Sequence, residues 1–271
     1  MDDKTEKRLA DYATRPRSVS QAKQYDQCPY GYYLARIKRE PELQAAWLGH
    51  GVAVHAAAEA WEKSGRSLGL EGAQEVFKGE YAKMANRGLE AEPNETGWQA
   101  SGPYTGFVDL ERRWGLGLDQ VRKYLDWYEA NPDQVIWKDA EGKAAIELKF
   151  DLDLDGVQVI GFIDQVIETK KNGPRARDIK TGVIPKADDT FQLDTYALAM
   201  KDQYGISCET GDFWSGKTGR PSRARKLSAS RDQIVEVFKT MDEGVKAQDF
   251  RPKPGEACGR CPVQRSCTYG V

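Results

Sequence analysis

Apolar positions along this chain change period in a way that separates its elements. From 18 to 63 they recur at helical spacing, from 144 to 181 they alternate with polar residues, and from 188 to 248 both patterns interleave. Ser18 and Ser20 offer N-cap hydroxyls for a short helix ending near Cys28. A second helical stretch, 30–39, carries Tyr33, Leu34 and Ile37 on one side. Residues 47–63 (WLGHGVAVHAAAEAWEK) predict a helix whose small residues allow close packing. The charged segment 1–17 predicts a frayed end.

In 144–154, Ile146, Leu148, Phe150, Leu152 and Leu154 alternate with Glu147, Lys149, Asp151 and Asp153, the signature of a half-buried strand. Asp155-Gly156 predicts a turn, 157–167 a second strand, 171–174 (Lys-Asn-Gly-Pro) another turn, and 175–181 a third strand. A helix follows over 188–204, then a strand over 208–214, a basic loop over 217–226 and a helix over 228–248. Residues 64–143, interrupted by Gly, Asn and Pro, read as a helical insertion with its clearest helix at 118–130. The whole chain, 1–271, reads as a single α/β domain: a mixed sheet, built as an antiparallel meander, flanked by helices.

Composition narrows the function classes. The longest apolar run is far short of the ~18 residues that a membrane span needs, and MDDKTEKRLADYATRPR contains no apolar leader core, so a cytoplasmic protein without membrane association is expected. Lys+Arg 40 against Asp+Glu 42 excludes a globally basic nucleic-acid coat but leaves room for a local basic groove. Residues 211–218 (Gly-Asp-Phe-Trp-Ser-Gly-Lys-Thr) fit the spacing G-x-x-x-x-G-K-[ST], but they run from a predicted strand into the basic loop 217–226 with no helix start after the Lys-Thr, so no P-loop motor is expected.

Five cysteines without a leader argue against a disulfide framework. Cys258, Cys261 and Cys267 form C-x2-C-x5-C in the tail 249–271, and Cys28, followed by Pro29, supplies a fourth thiolate. Four thiolates suit zinc or an iron–sulfur cluster, and prolines after Cys28 and Cys261 favour the cluster. Either would staple the two ends of the chain together. Cys208 reads as a buried strand cysteine.

The chemistry-bearing stretch is Gly161-Phe162-Ile163-Asp164, then Asp178-Ile179-Lys180, then Gln192-x-x-x-Tyr196. Alternation puts Asp178 and Lys180 on one strand face with Ile179 turned to the core. The turn at 171–174 folds Asp164 back beside Asp178, so two carboxylates and an ammonium face one point. Neighbouring carboxylates repel unless a hard cation such as Mg²⁺ or Mn²⁺ lies between them, and such an ion can activate water against a phosphodiester.

Asp164 followed by Asp178-Ile179-Lys180 resembles the PD-(D/E)xK nuclease superfamily. Gln192-x-x-x-Tyr196 and Gly51-x-x-x-His55 are similar to elements of its RecB-like branch, and the split cysteine pattern is similar to the four-cysteine motif of AddB-type, CRISPR-associated and phage-borne RecB-like exonucleases. The resemblance implies a 4Fe–4S cluster at Cys28, Cys258, Cys261 and Cys267. It implies one or two Mg²⁺ or Mn²⁺ ions held by His55, Asp164, Asp178 and the Ile179 carbonyl. Lys180 would lie beside the attacking water, with Gln192 and Tyr196 completing the catalytic set. Glu147 occupies a place where the family often has an acidic residue.

The activity so implied is exonucleolytic cleavage of single-stranded DNA or DNA ends, leaning 5′→3′, in recombination, replication-linked processing or CRISPR spacer acquisition, with proteins of those pathways as partners. A non-catalytic iron–sulfur DNA-binding adaptor is the alternative. The basic clusters Lys170-Lys171 and 217–226 flank the proposed site strands, and Arg220, Arg223 and Arg225 are expected to contact phosphate. His50 lies off the His55 face and reads as incidental. Trp98, Trp114, Trp127 and Tyr128 read mainly as core, with one or two able to stack on bases.

Overall fold

The computed structural model describes residues 2–169 and 173–270. Lys170, Lys171 and part of the turn expected at 171–174 lie outside the described residues. Along the chain run α1 (Asp3–Thr14), α2 (Val19–Gln27), α3 (Pro29–Tyr32, continued by a π-helical turn over Tyr33–Lys38), α4 (Ala46–Lys63), α5 (Gly69–Ala91) and α6 (Gly106–Ala130). Then come β1 (Val135–Ile136), β2 (Ile146–Leu154), β3 (Val157–Glu168), β4 (Arg175–Lys180), α7 (Phe191–Tyr204), β5 (Thr210–Ser215), β6 (Arg220–Pro221), β7 (Arg225–Lys226) and α8 (Arg231–Lys246).

Two compact units make up the chain: residues 1–43, 150–161 and 229–271 in one, 44–149 and 162–228 in the other. In the first unit, the segment expected to fray carries α1. Asp2 caps α1 by accepting from the Thr5 N–H at 2.8 Å, and Leu9 and Tyr12 are buried. Arg17 anchors the segment. Its fully buried guanidinium donates to Asp242 Oδ1 on α8 at 2.7 and 2.9 Å and to the Tyr12 carbonyl at 2.8 Å, while its backbone pairs with Gln158 and Ile160 of β3. Charge density alone predicted solvation, but a paired charge can be buried. α8 starts on a reciprocal capping box between Ser230 and Gln233.

The second unit holds the proposed insertion, and α5 and α6 are integral to it. They pack with α4 around Trp61, Phe77, Tyr124, Tyr128 and, from the sheet, Ile179 and Trp214. Gly117 permits this approach, because a Cβ there would enter the Phe77 ring. Trp98 and Tyr128 are buried and Trp127 is packed against the core, whereas Trp114 is 39% exposed. The sheet order is β1-β3-β4-β5-β6, with β2 also on β3 and β7 also on β5. β3 and β4 are antiparallel, as the meander predicts, but β4 and β5 are parallel, Asp178 opposite Phe213 and Lys180 opposite Ser215. The cause is α7, whose crossover returns the chain to the same end of the sheet. Cys208 is buried, though it precedes β5 instead of lying in it. No helix among the described residues is long and apolar enough to cross a membrane.

Candidate active site

α4, β2, β3, β4 and α7 each contribute to one polar cluster in the second unit. His55 of α4, Glu147 of β2 and Asp164 of β3 offer ligand atoms that all lie within 4.8 Å of one another. His55 Nε2 is 2.8 Å from the Ile179 carbonyl, which can only accept, so the proton sits on Nε2. That leaves Nδ1 facing two carboxylates, 3.5 Å from Asp164 Oδ2 and 3.7 Å from Glu147 Oε1. A lone pair facing two anions is favourable only with a proton or a metal ion between them. Burial disfavours the imidazolium, yet Asp164, Glu147 and Asp178 outweigh it and push His55 up to about 9.

β4 fixes the remaining groups. The Ile179 N–H donates to Asp164 Oδ2 at 2.8 Å, so both polar groups of this residue position side chains of the cluster. The Ile179 carbonyl, proposed from the resemblance as a metal ligand, is engaged by His55. Asp178 is 1% exposed and is pushed up to about 7 by burial and by the Asp164 charge, against the pull of Lys180. Burial also raises Asp164. Lys180 Nζ stands 2.7 Å from Asp178 Oδ2, an ion pair inside the buried cluster. Glu147, Asp164 and Asp178 crowd three carboxylates around one imidazole, a repulsion that a divalent cation relieves, and an all-oxygen-plus-imidazole donor set suits Mg²⁺ or Mn²⁺.

Gln192 and Tyr196, one helical turn apart on α7, act in series. Lys180 Nζ donates to Gln192 Oε1 at 3.2 Å, and Gln192 Nε2 donates to the Tyr196 hydroxyl oxygen at 2.8 Å. The pair therefore orients the lysine.

Glu147 is the one non-glycine residue of the site with left-handed backbone, φ 47°, a conformation costing roughly 1–2 kcal/mol. The β2 alternation continues through it, and its carboxylate faces His55; only its place in the strand pattern hinted at this. His50 stands outside the His55–Glu147–Asp164 group. It is fully buried, with Nε2 2.9 Å from Gln120 Oε1, and Gln120 Nε2 donates to the Thr181 carbonyl at 3.0 Å, just past Lys180.

The basic loop divides. Arg220 and Arg223 are exposed. Arg225 donates to the carbonyls of Pro185, Lys186 and Asp189, at 2.6 to 3.1 Å, and stacks on Phe213, so it clamps the connection between β4 and α7.

The four cysteines of the proposed cluster all belong to the first unit. Cys28 Sγ accepts from the Gly31 and Lys253 N–H groups at 3.3 and 3.4 Å, and Cys258 Sγ from the Gly255 N–H at 3.4 Å. A Cβ on Gly31 would lie 3.7 Å from Cys28 Sγ and 3.8 Å from Cys261 Sγ. Tetrahedral zinc at ~2.3 Å bonds requires sulfurs ~3.8 Å apart, and no three of these sulfurs lie within 4.8 Å of one another among the described residues. The iron–sulfur cluster itself is not shown.

The chain is similar to two phage proteins, each called Gene 69 protein. That of Mycobacterium phage D29 is 42% identical over 261 residues, covering 93% of this chain and 96% of the relative. That of Mycobacterium phage L5 is 42% identical over 280 residues, covering 93% and 95%. A solved chain described as "Crystal structure of SSO0001" superposes with TM-score 0.40 at 12% identity, over 98% of this chain and 95% of that one, too loosely to bear on the argument. The description "PD-(D/E)XK nuclease superfamily" matches residues 16–268, spanning every site residue above. With that span and an acidic site of the right chemistry, the chain belongs to the PD-(D/E)XK nuclease superfamily.

Proposed function

We propose that this protein is a metal-dependent DNA exonuclease of the RecB-like branch, acting on single-stranded DNA or DNA ends with a 5′→3′ lean. The observation that carries the reading is the convergence of His55, Glu147 and Asp164 beside the Asp178–Lys180 pair. His55, Glu147 and Asp164 would hold the ion, with Asp178 close enough to share its field. A bound Mg²⁺ or Mn²⁺ supplies Lewis acidity and a water of lowered pKa. Lys180, fixed by Gln192 and Tyr196, orients the attacking water and offsets charge accumulating on the phosphate. Relatives encoded by phages favour recombination or replication-linked processing of phage DNA over CRISPR spacer acquisition.

The test is digestion of end-labelled single-stranded DNA with Mn²⁺ by the wild type, Asp178→Ala and Lys180→Ala. Loss of cleavage in both variants is expected; equal activity in all three refutes the assignment and leaves a non-catalytic DNA-binding adaptor. Strands blocked at the 5′ or 3′ end read the polarity.

The reading extends to a 4Fe–4S cluster at Cys28, Cys258, Cys261 and Cys267, supported by N–H donors on Cys28 and Cys258 sulfurs and by Cys28 and Cys261 flanking Gly31. It would join the segments carrying residues 28 and 258–267 in the first unit. Anaerobically purified protein should be brown and contain about four irons per chain; a colourless, iron-free and folded protein overturns it.

A further inference from the structure

A cleft of about 780 Å³ opens beside the acidic cluster, wholly within the second unit, and Glu147 lines both. Its cationic lining is uneven. Arg66 is consumed by Glu62 (2.9 and 3.2 Å) and the Gln134 carbonyl, and Lys63 by Glu59. Lys138, Lys143 and Lys149 are exposed and have no ion-pair partner among the described residues. Between them the lining carries Phe162, 53% exposed. Phe162 and Asp164 are two residues apart on β3, so their side chains leave the same face ~7 Å apart. Lys149 stands in the same relation to Glu147 on β2.

Uncompensated lysines suit phosphates, and an exposed aromatic ring suits a base. A base free to stack on Phe162 must be unpaired, which selects a single strand over a duplex. Resting on the nuclease reading of the adjoining site, we propose that this cleft is the tract for single-stranded DNA: Lys138, Lys143 and Lys149 hold the backbone and Phe162 stacks a base next to the scissile phosphate.

The test is fluorescence anisotropy of labelled oligothymidylate in Ca²⁺, where binding is read without turnover. Three lost phosphate contacts, at roughly 0.7 each, should lower the salt slope by about 2 and weaken binding about 50-fold at 0.15 M salt in Lys138→Ala/Lys143→Ala/Lys149→Ala. Phe162→Ala should weaken binding about 5-fold or more, Phe162→Trp should restore it, and neither should change affinity for a blunt duplex. Unchanged affinity and salt slope in the triple variant, or unchanged single-strand affinity in Phe162→Ala, overturns the tract. Hydrolysis of thymidine 5′-(p-nitrophenyl phosphate) by the wild type with Mn²⁺ tests the metal site separately. Failure there counts against the nuclease reading, whereas failure of the binding series with that hydrolysis intact counts against the cleft alone.

Discussion

Metal binding at this site should expel protons, and the number follows from two neighbouring groups. Without an ion, His55 Nδ1 faces Asp164 and Glu147 and holds its proton up to about 9, and Asp178 holds its proton up to about 7. At pH 7 these groups carry about one proton and about half a proton. An ion must displace them, so Mn²⁺ binding should release about 1.5 protons, with any share from Asp164 adding to that. The same fractions make the ligand-competent form about 10³-fold scarcer at pH 6 than at pH 8, and metal affinity should fall accordingly.

The sign reverses for stability of the metal-free protein. Both groups bind protons more tightly when folded than at their ordinary values of 3.8 and 6.5. Their contribution to stability is therefore complete at low pH and is lost as pH rises, through about 7 for Asp178 and about 9 for His55. Isothermal titration calorimetry of Mn²⁺ in buffers of different ionisation enthalpy gives the proton count directly. In His55→Gln, only Asp178 and Asp164 remain to release protons, and the count should fall by about one, to about half a proton plus any share from Asp164. A wild-type release below about half a proton at pH 7 refutes the picture of a proton and a metal competing for one place.

Other expectations rest on single contacts. Asp242→Ala strips the partner from the fully buried Arg17 guanidinium and should cost about 3–5 kcal/mol, lowering the unfolding midpoint by about 10 °C; a shift within error would mean that Arg17 finds water. Arg225→Ala should lower kcat and open residues 182–190 to proteolysis while leaving the salt slope of DNA binding unchanged, because its guanidinium serves three carbonyls of that connection. A reduced slope with an intact loop would instead make Arg225 a phosphate contact. Gln120→Leu leaves buried His50 without its side-chain partner and should cost about 1–3 kcal/mol, with activity falling through Lys180; full activity would separate that bond from the site.

The strand alternation around Asp164 and Asp178 was legible because period-two patterning fixes which side chains share a face, and the pair is found on adjacent strands. The i, i+4 spacing of Gln192 and Tyr196 was legible for the same geometric reason, although their link to Lys180 is a tertiary fact. Buried polar residues were the blind spot. His50, Gln120 and Arg17 look like surface residues in a chain with 30% charged positions, and only three-dimensional pairing distinguishes them. The backbone of Glu147 was hidden too, since a non-glycine residue with left-handed backbone leaves no mark in an otherwise regular alternation. Arg225 shows the converse: a basic run suggests phosphate contact, but local carbonyls can claim one member of it.

Charge counting limits how many ions the site accepts before DNA arrives. Glu147, Asp164 and Asp178 bring three negative charges, and Lys180 one positive charge. With His55 protonated the set is left at −1; one divalent ion with neutral His55 brings it to zero. A second ion would raise it to +2 in a largely desolvated place, where uncompensated charge costs several kcal/mol. Only an arriving phosphodiester, with its negative charge and oxygen ligands, would offset that. Calorimetry should therefore find about one Mn²⁺ per chain at this site in the free protein, with a second appearing only alongside an uncleavable phosphorothioate strand. Two tight ions in the free protein would mean that further acidic groups, outside the set that faces His55, help to balance the charge.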